Sequence, residues 1–88
     1  MKDLVEYLVK SLVDKPEEVT ITEIDSELAT VIEVRVADGD AGKVIGKEGR
    51  IINAIRTLVK ATAAKDLPEQ QASKKRYNVE IITKEVSK

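Results

Sequence analysis

The chain has 88 residues, 42% hydrophobic, 2% aromatic and 35% charged, with 15 bases against 16 acids and a formal net charge of −1. It contains no Cys and no His, which excludes disulfides, thiol chemistry, the commonest metal ligands and the side chain that most often moves protons near neutral pH. No run of about 18 apolar residues exists to span a membrane, and the acids threaded through the first apolar stripe are unlike a signal peptide, so the expected location is the cytoplasm. A chain of this size builds one modest core. That core must come from Val, Ile, Leu and Ala, because Tyr7 and Tyr77 are the two aromatic residues. The expected domain is 1–83, with a frayed polar tail over 84–88.

Residues 3–14 carry Leu4, Val5, Leu8, Val9, Leu12 and Val13 as one stripe at helical spacing, and predict an amphipathic helix stopped by Pro16. Over 18–24, Val19 and Ile21 alternate with Thr20 and Thr22, which predicts a strand. Asp25-Ser26-Glu27 reads as a hairpin loop. Residues 28–36 give the clearest strand, with Leu28, Thr30, Ile32, Val34 and Val36 on one face and Ala29, Val31, Glu33 and Arg35 on the other. Ala37-Asp38-Gly39-Asp40 breaks it, and Asp38 or Asp40 is placed to cap a short helix over 41–45. The two acids lack the further ligands of an EF-hand loop, so no metal site is expected. A second core helix over 50–64 presents Ile52, Ile55, Leu58, Val59 and Thr62 to the core, with Asn53, Arg56 and Lys60 elsewhere. Residues 66–76 have no apolar period and read as a loop ending in the basic Lys74-Lys75-Arg76. Tyr77, Val79 and Ile81 share one face of a last strand over 77–83. The order α-β-β-α-α-β predicts an α+β two-layer domain, a three-stranded sheet with its helices on one face. The helical crossover is long enough for the strands on either side of it to run parallel.

The stretch that joins the two later helices, Val44-Ile45-Gly46-Lys47-Glu48-Gly49-Arg50-Ile51-Ile52, is the one most suggestive of a function. Gly46 is suited to end a helix at positive φ and Gly49 to let another backbone come close. The amides that open the following helix, with Lys47 and Arg50, favour an anion. A P-loop and a dinucleotide fingerprint are both excluded by spacing, since Ala41 and Val44 stand where each needs glycine. Charge supports the same stretch. Residues 1–40 hold four bases and eleven acids, a net of −7, whereas 41–76 hold nine bases and three acids, a net of +6. Such asymmetry is a nucleic-acid signal that the overall balance conceals. The bland alternatives are two glycines that only connect packed helices, and an ordinary solvated helix face.

Ile45-Gly46-Lys47-Glu48-Gly49 followed by Ile52 resembles the IGxxGxxI signature of KH domains. The length, the element order and the opening Leu4-Val5-Glu6-Tyr7-Leu8-Val9 are similar to those of the small single-domain bacterial KH proteins of the KhpA type, over about 1–82. The resemblance implies a KH fold with its extra helix and strand at the N-terminus, and a GXXG loop (Gly46-Lys47-Glu48-Gly49) that clamps the backbone of single-stranded RNA. Lys47 and Arg50 would then pair with phosphates, Lys43, Arg56 and Lys60 would extend the positive field, and Val44, Ile45 and Ile52 would floor the groove. Glu48 sets a negative charge inside the clamp. The resemblance also implies a homodimer, or a heterodimer with a second RNA-binding protein, and a role as post-transcriptional regulator or RNA chaperone. Alternatives are a KH-shaped protein–protein adaptor and single-stranded DNA binding. No cofactor, small-molecule substrate or catalytic residue is expected.

Overall fold

The strictest alternation in the chain forms the central strand, β2 (Ala29–Val36), in the computed structural model, which describes residues 1–66 and 76–83. Thr30, Ile32, Val34 and Val36 are buried along one face and Ala29, Val31, Glu33 and Arg35 are less covered on the other, as their period of two requires. β1 (Thr20–Asp25) pairs with β2 antiparallel and sets Ile21 opposite Val34. Ser26 closes the hairpin, its amide and its Oγ both donating to the Ala29 carbonyl at 2.8 Å. β3 (Arg76–Thr83) lies on the other side of β2 and runs parallel to it, with Val79 beside Ile32 and Ile81 beside Val34. The sheet order is therefore β1-β2-β3, and β3 is an edge strand.

The helices α1 (Lys2–Leu12), α2 (Ala41–Ile45) and α3 (Arg50–Asp66) cover the buried face. Val5 and Val9, Val44, and Ile52, Ile55 and Val59 meet Ile21, Ile32, Val34, Val36 and Val79 in one core. On α1 the i,i+4 pair Glu6–Lys10 closes at 2.8 Å, and that hydrogen bond holds the Glu6 carboxyl below its ordinary value. The expected α+β architecture and element order are those observed. The expected loop over 66–76, with its Lys74-Lys75-Arg76 cluster, falls outside the described residues except at its ends, where Asp66 closes α3 and Arg76 opens β3. The tail 84–88 falls outside them altogether.

Several boundaries and faces differ from expectation. A short 3₁₀ turn at Pro16–Glu18 delays β1 to Thr20, α1 ends at Leu12, and Leu28 lies exposed in the hairpin rather than in β2. On α3 the stripe that meets the sheet runs through Ile52, Ile55, Val59 and Ala63, all buried, while Thr62 is only half-buried. Leu58, expected in the core, is 46% exposed. At 100° per residue it lies on the flank that faces α1, beside Ile51 and Ala54.

Asp40 also departs from expectation. It stands directly before α2 but makes no capping bond to it. The 3₁₀ turn Asp38–Asp40 has already put Asp40 in the helical well (φ −99°, ψ −10°), whereas a capping residue is normally extended, so its carboxylate is aimed elsewhere. It is 3% exposed and accepts the amide of Asp14 at 3.3 Å through Oδ1 and that of Lys15 at 3.0 Å through Oδ2. Asp40 thus ties the exit of α1 to the entry of α2. The only other buried polar residue among those described, Thr30, donates its hydroxyl to Asp25 across the hairpin. Substituting Asp40→Ala should lower unfolding stability by about 2–3 kcal/mol, the scale for losing a buried charged acceptor of two amides. Asp40→Asn should lose less. Urea denaturation with an unchanged slope would show this.

Candidate nucleic-acid interface

The turn between α2 and α3 is shaped by three consecutive demands on the backbone. Gly46 ends α2, its amide bonded to the Gly42 carbonyl at 2.9 Å, with φ 78° and ψ 171°. That region is open essentially to glycine alone. Space forbids a side chain as well, because a Cβ at Gly46 would stand 2.6 Å from Cγ1 of Ile51 and 2.9 Å from its Cβ and Cδ1. Glu48 is left-handed (φ 58°, ψ 25°), the one non-glycine residue at positive φ among those described, and Gly49 follows at φ 74°. The amide of Gly49 returns to the Gly46 carbonyl at 3.1 Å and that of Arg50 to the Lys47 carbonyl, so the four residues form a tight loop from which α3 departs.

Around this loop the side chains divide. Lys47 is exposed and has no ion-pair partner among the described residues. Arg50 is exposed and its Nη2 donates to Oε1 of Glu48 at 3.1 Å. Arg56 reaches across to the sheet edge, donating from Nη2 to the Val79 carbonyl at 3.0 Å and from Nη1 to Oδ1 of Asn53 at 3.2 Å. Lys60 lies one turn further along the same side of α3 and is exposed. Ile45 is 38% exposed beside the loop.

Two candidate residues are placed differently from the rest. Val44, expected on the floor of a binding groove, is wholly buried and belongs to the core, because α2 is so short that its inward position must anchor it. No base could touch it. Lys43 points to the opposite end of α2, 3.3 Å from Asp14 and 3.9 Å from Asp40, where Lys15, Glu18 and Asp38 line a cavity of about 330 Å³. It therefore faces acids at the end of α2 away from the glycine loop. Ile52, named with the floor but expected mainly in the core, is buried there. Conversely, the sequence gives no hint that Arg56 is braced on both sides. The Asn53 contact is legible as an i,i+3 pair on a helix. The Val79 contact is not, since it depends on β3 lying at the sheet edge.

Among the described residues there is no group of His, Cys, Asp and Glu able to hold a metal ion, and no helix long and apolar enough to cross a membrane. A second concavity of about 420 Å³ runs between α1 and α3, lined by Tyr7, Leu8, Leu12, Ile51, Ala54 and Leu58 with Arg50 at its rim.

The family model described as the KH domain of KhpA and KhpB matches residues 2–81. The chain belongs to this family. It is 51% identical over 82 residues to the RNA-binding protein KhpA of Clostridium perfringens, covering 93% of this chain and 100% of that protein. It is 50% identical, with the same coverage, to the RNA-binding protein KhpA of Clostridium acetobutylicum. Against the RNA-binding protein KhpA of Borreliella burgdorferi the identity is 54% over 63 residues, 72% of this chain and 77% of that protein. No solved structure matches. The three-stranded mixed sheet with its three helices is thus a KH domain, and the glycine loop occupies the place between its paired helices.

The loop geometry predicts unequal tolerance of its two glycines. Gly46→Ala should cost about 2 kcal/mol or more, from an essentially glycine-only backbone and the clash with Ile51, whereas Gly49→Ala, with nothing nearer than 3.7 Å, should cost about 1 kcal/mol. Thermal melts of the two variants would rank them.

Proposed function

We propose that this chain binds single-stranded RNA by laying the sugar–phosphate backbone across Gly46-Lys47-Glu48-Gly49. The observation that carries the reading is the loop itself: three positive φ values in four residues, held beside exposed cations, in a chain whose relatives are named RNA-binding proteins. The loop's internal bonds engage the amides of Gly46, Gly49 and Arg50. A phosphate lying across the turn would meet those of Lys47 and Glu48. Lys47 and Arg50 supply charge, Ile45 an apolar surface for a base, and Arg56 and Lys60 continue the positive track along the edge of β3. Lys43 contributes only to the background field. No aromatic residue lies in the loop, and Tyr7, which shares a groove with Arg50 and Ile51, belongs to the α1 side, so the stacking worth about 1–3 kcal/mol per base elsewhere is not supplied by the loop itself. The binding is accordingly weak, salt-sensitive and poorly sequence-selective, which suits an RNA chaperone or post-transcriptional regulator in the cytoplasm.

Weak single sites gain from pairing. We assign the groove between α1 and α3 to a second copy of this chain. Tyr7, 71% exposed, and Leu58 project beside a cavity on the same face, so a two-fold axis lets each copy's projection fill the other's hollow. Arg56 and Lys60 leave α3 on another flank and stay open to RNA.

Fluorescence anisotropy of a labelled single-stranded RNA over a salt series tests the main reading. The double variant Lys47→Asp, Glu48→Asp should bind at least about tenfold more weakly, and its slope of log affinity against log salt should be flatter by about 0.7 for each phosphate the loop no longer neutralises. Equal binding by both proteins would place any affinity elsewhere, and no binding by either would favour an adaptor. A DNA strand of the same sequence reports whether the 2′-hydroxyl is read. In sedimentation, Leu58→Asp should leave a folded monomer whose melting temperature no longer rises with protein concentration, with about tenfold weaker binding to an RNA long enough for two domains.

A further inference from the structure

In a helix, residues two apart do not face each other. Glu48 and Arg50 are two apart, yet their side chains meet at 3.1 Å. They do so because Glu48 is left-handed, which turns its side chain back over Gly49 toward the guanidinium. Left-handed backbone is unfavourable for a residue such as Glu and is usually given to Gly, Asn or Asp. Glu48 thus holds an unfavoured conformation in a loop proposed to receive an anion, and its carboxylate lies on one of the two cations nearest that anion.

We propose that Glu48 is a resident anion: in the free protein its carboxylate occupies the guanidinium of Arg50, and an RNA phosphate must displace it before Arg50 can pair with the strand. This rests on the RNA-binding reading above and deepens it. Both side chains are mostly exposed, so displacement needs no unfolding and the pair is weak enough to exchange. Lys47 remains the loop's uncompensated cation. A strand first caught by the loop amides and Lys47 presents its next phosphate to Arg50 at high effective concentration. A free phosphate or mononucleotide has no such foothold and competes poorly. Glu48 thereby biases the loop toward a phosphodiester chain over isolated phosphates.

A double-mutant cycle tests this with the parent, Glu48→Gln, Arg50→Gln and the double variant, each titrated into a labelled oligouridine across a salt series, with inorganic phosphate as competitor. Gln keeps the length and backbone demands of Glu and removes only its charge. Glu48→Gly, which also relieves the positive φ, serves as a second variant, and melting curves establish that all are folded. Glu48→Gln should bind about threefold more tightly, and inorganic phosphate should inhibit it at lower concentration. In the Arg50→Gln background the gain should largely vanish. An unchanged or weakened Glu48→Gln overturns the proposal, as does an equal gain with and without Arg50, which would make Glu48 a general repulsive charge. RNA bound by none of the four proteins would overturn the function itself, a result distinct from a flat cycle among proteins that bind.

Discussion

The packing of Ile51 into the space where Gly46 would carry a side chain is the contact on which the rest of the loop depends. It lets the first turn of α3 close directly against the end of α2, so two helices meet across a single tight turn. The backbone between them is then forced to positive φ at Gly46, Glu48 and Gly49. A flatter connection would separate the helices and dissolve the loop. The same contact has a packing consequence. α2 is only five residues long and cannot hold its own place by helix propensity. Val44 inside the core, Gly46 against Ile51 and the carboxylate of Asp40 on the amides of residues 14 and 15 hold it from three directions.

Charge is divided just as locally. The basic half of the chain does not form a uniform positive surface. Lys43 is drawn to Asp14 and Asp40, Arg50 to Glu48, and Arg56 to a carbonyl of the edge strand, which leaves Lys47 and Lys60 as candidate cations with no ion pair among the described residues. Each of the paired cations serves a different purpose. Lys43 offsets the buried Asp40. Arg56 braces α3 against β3. Arg50 meets the carboxylate of Glu48 at 3.1 Å.

α3 carries three surfaces at once. Ile52, Ile55, Val59 and Ala63 face the sheet, Ile51, Ala54 and Leu58 face the groove beside α1, and Arg56 faces the edge of β3. A helix of 17 residues, over four turns long, has enough circumference for all three. The apolar stripe that periodicity assigns wholly to the core is therefore wider than the core needs. Its surplus, centred on Leu58, lines the groove beside α1.

The sequence alone determined the architecture and the location of the loop. Alternation by two over 29–36 and by 3.6 over 2–12 and 50–66 is a local property that each segment expresses by burying one side. The glycine spacing in Ile45-Gly46-Lys47-Glu48-Gly49 is likewise local, since only glycine meets the backbone demand at Gly46. Parallel pairing of the outer strand was permitted by the length of the crossover. What only the tertiary structure decided were matters between segments distant in the chain: that Asp40 serves the amides of residues 14 and 15 instead of its own helix, that Val44 is core rather than groove, that Leu58 is surface, and that Arg56 finds Val79. Periodicity says which residues share a face, but not which neighbour that face will meet. Likewise, a residue's charge is in the sequence, but whether that charge is free for a ligand depends on which carboxylate or carbonyl folding brings within about 3–4 Å of it.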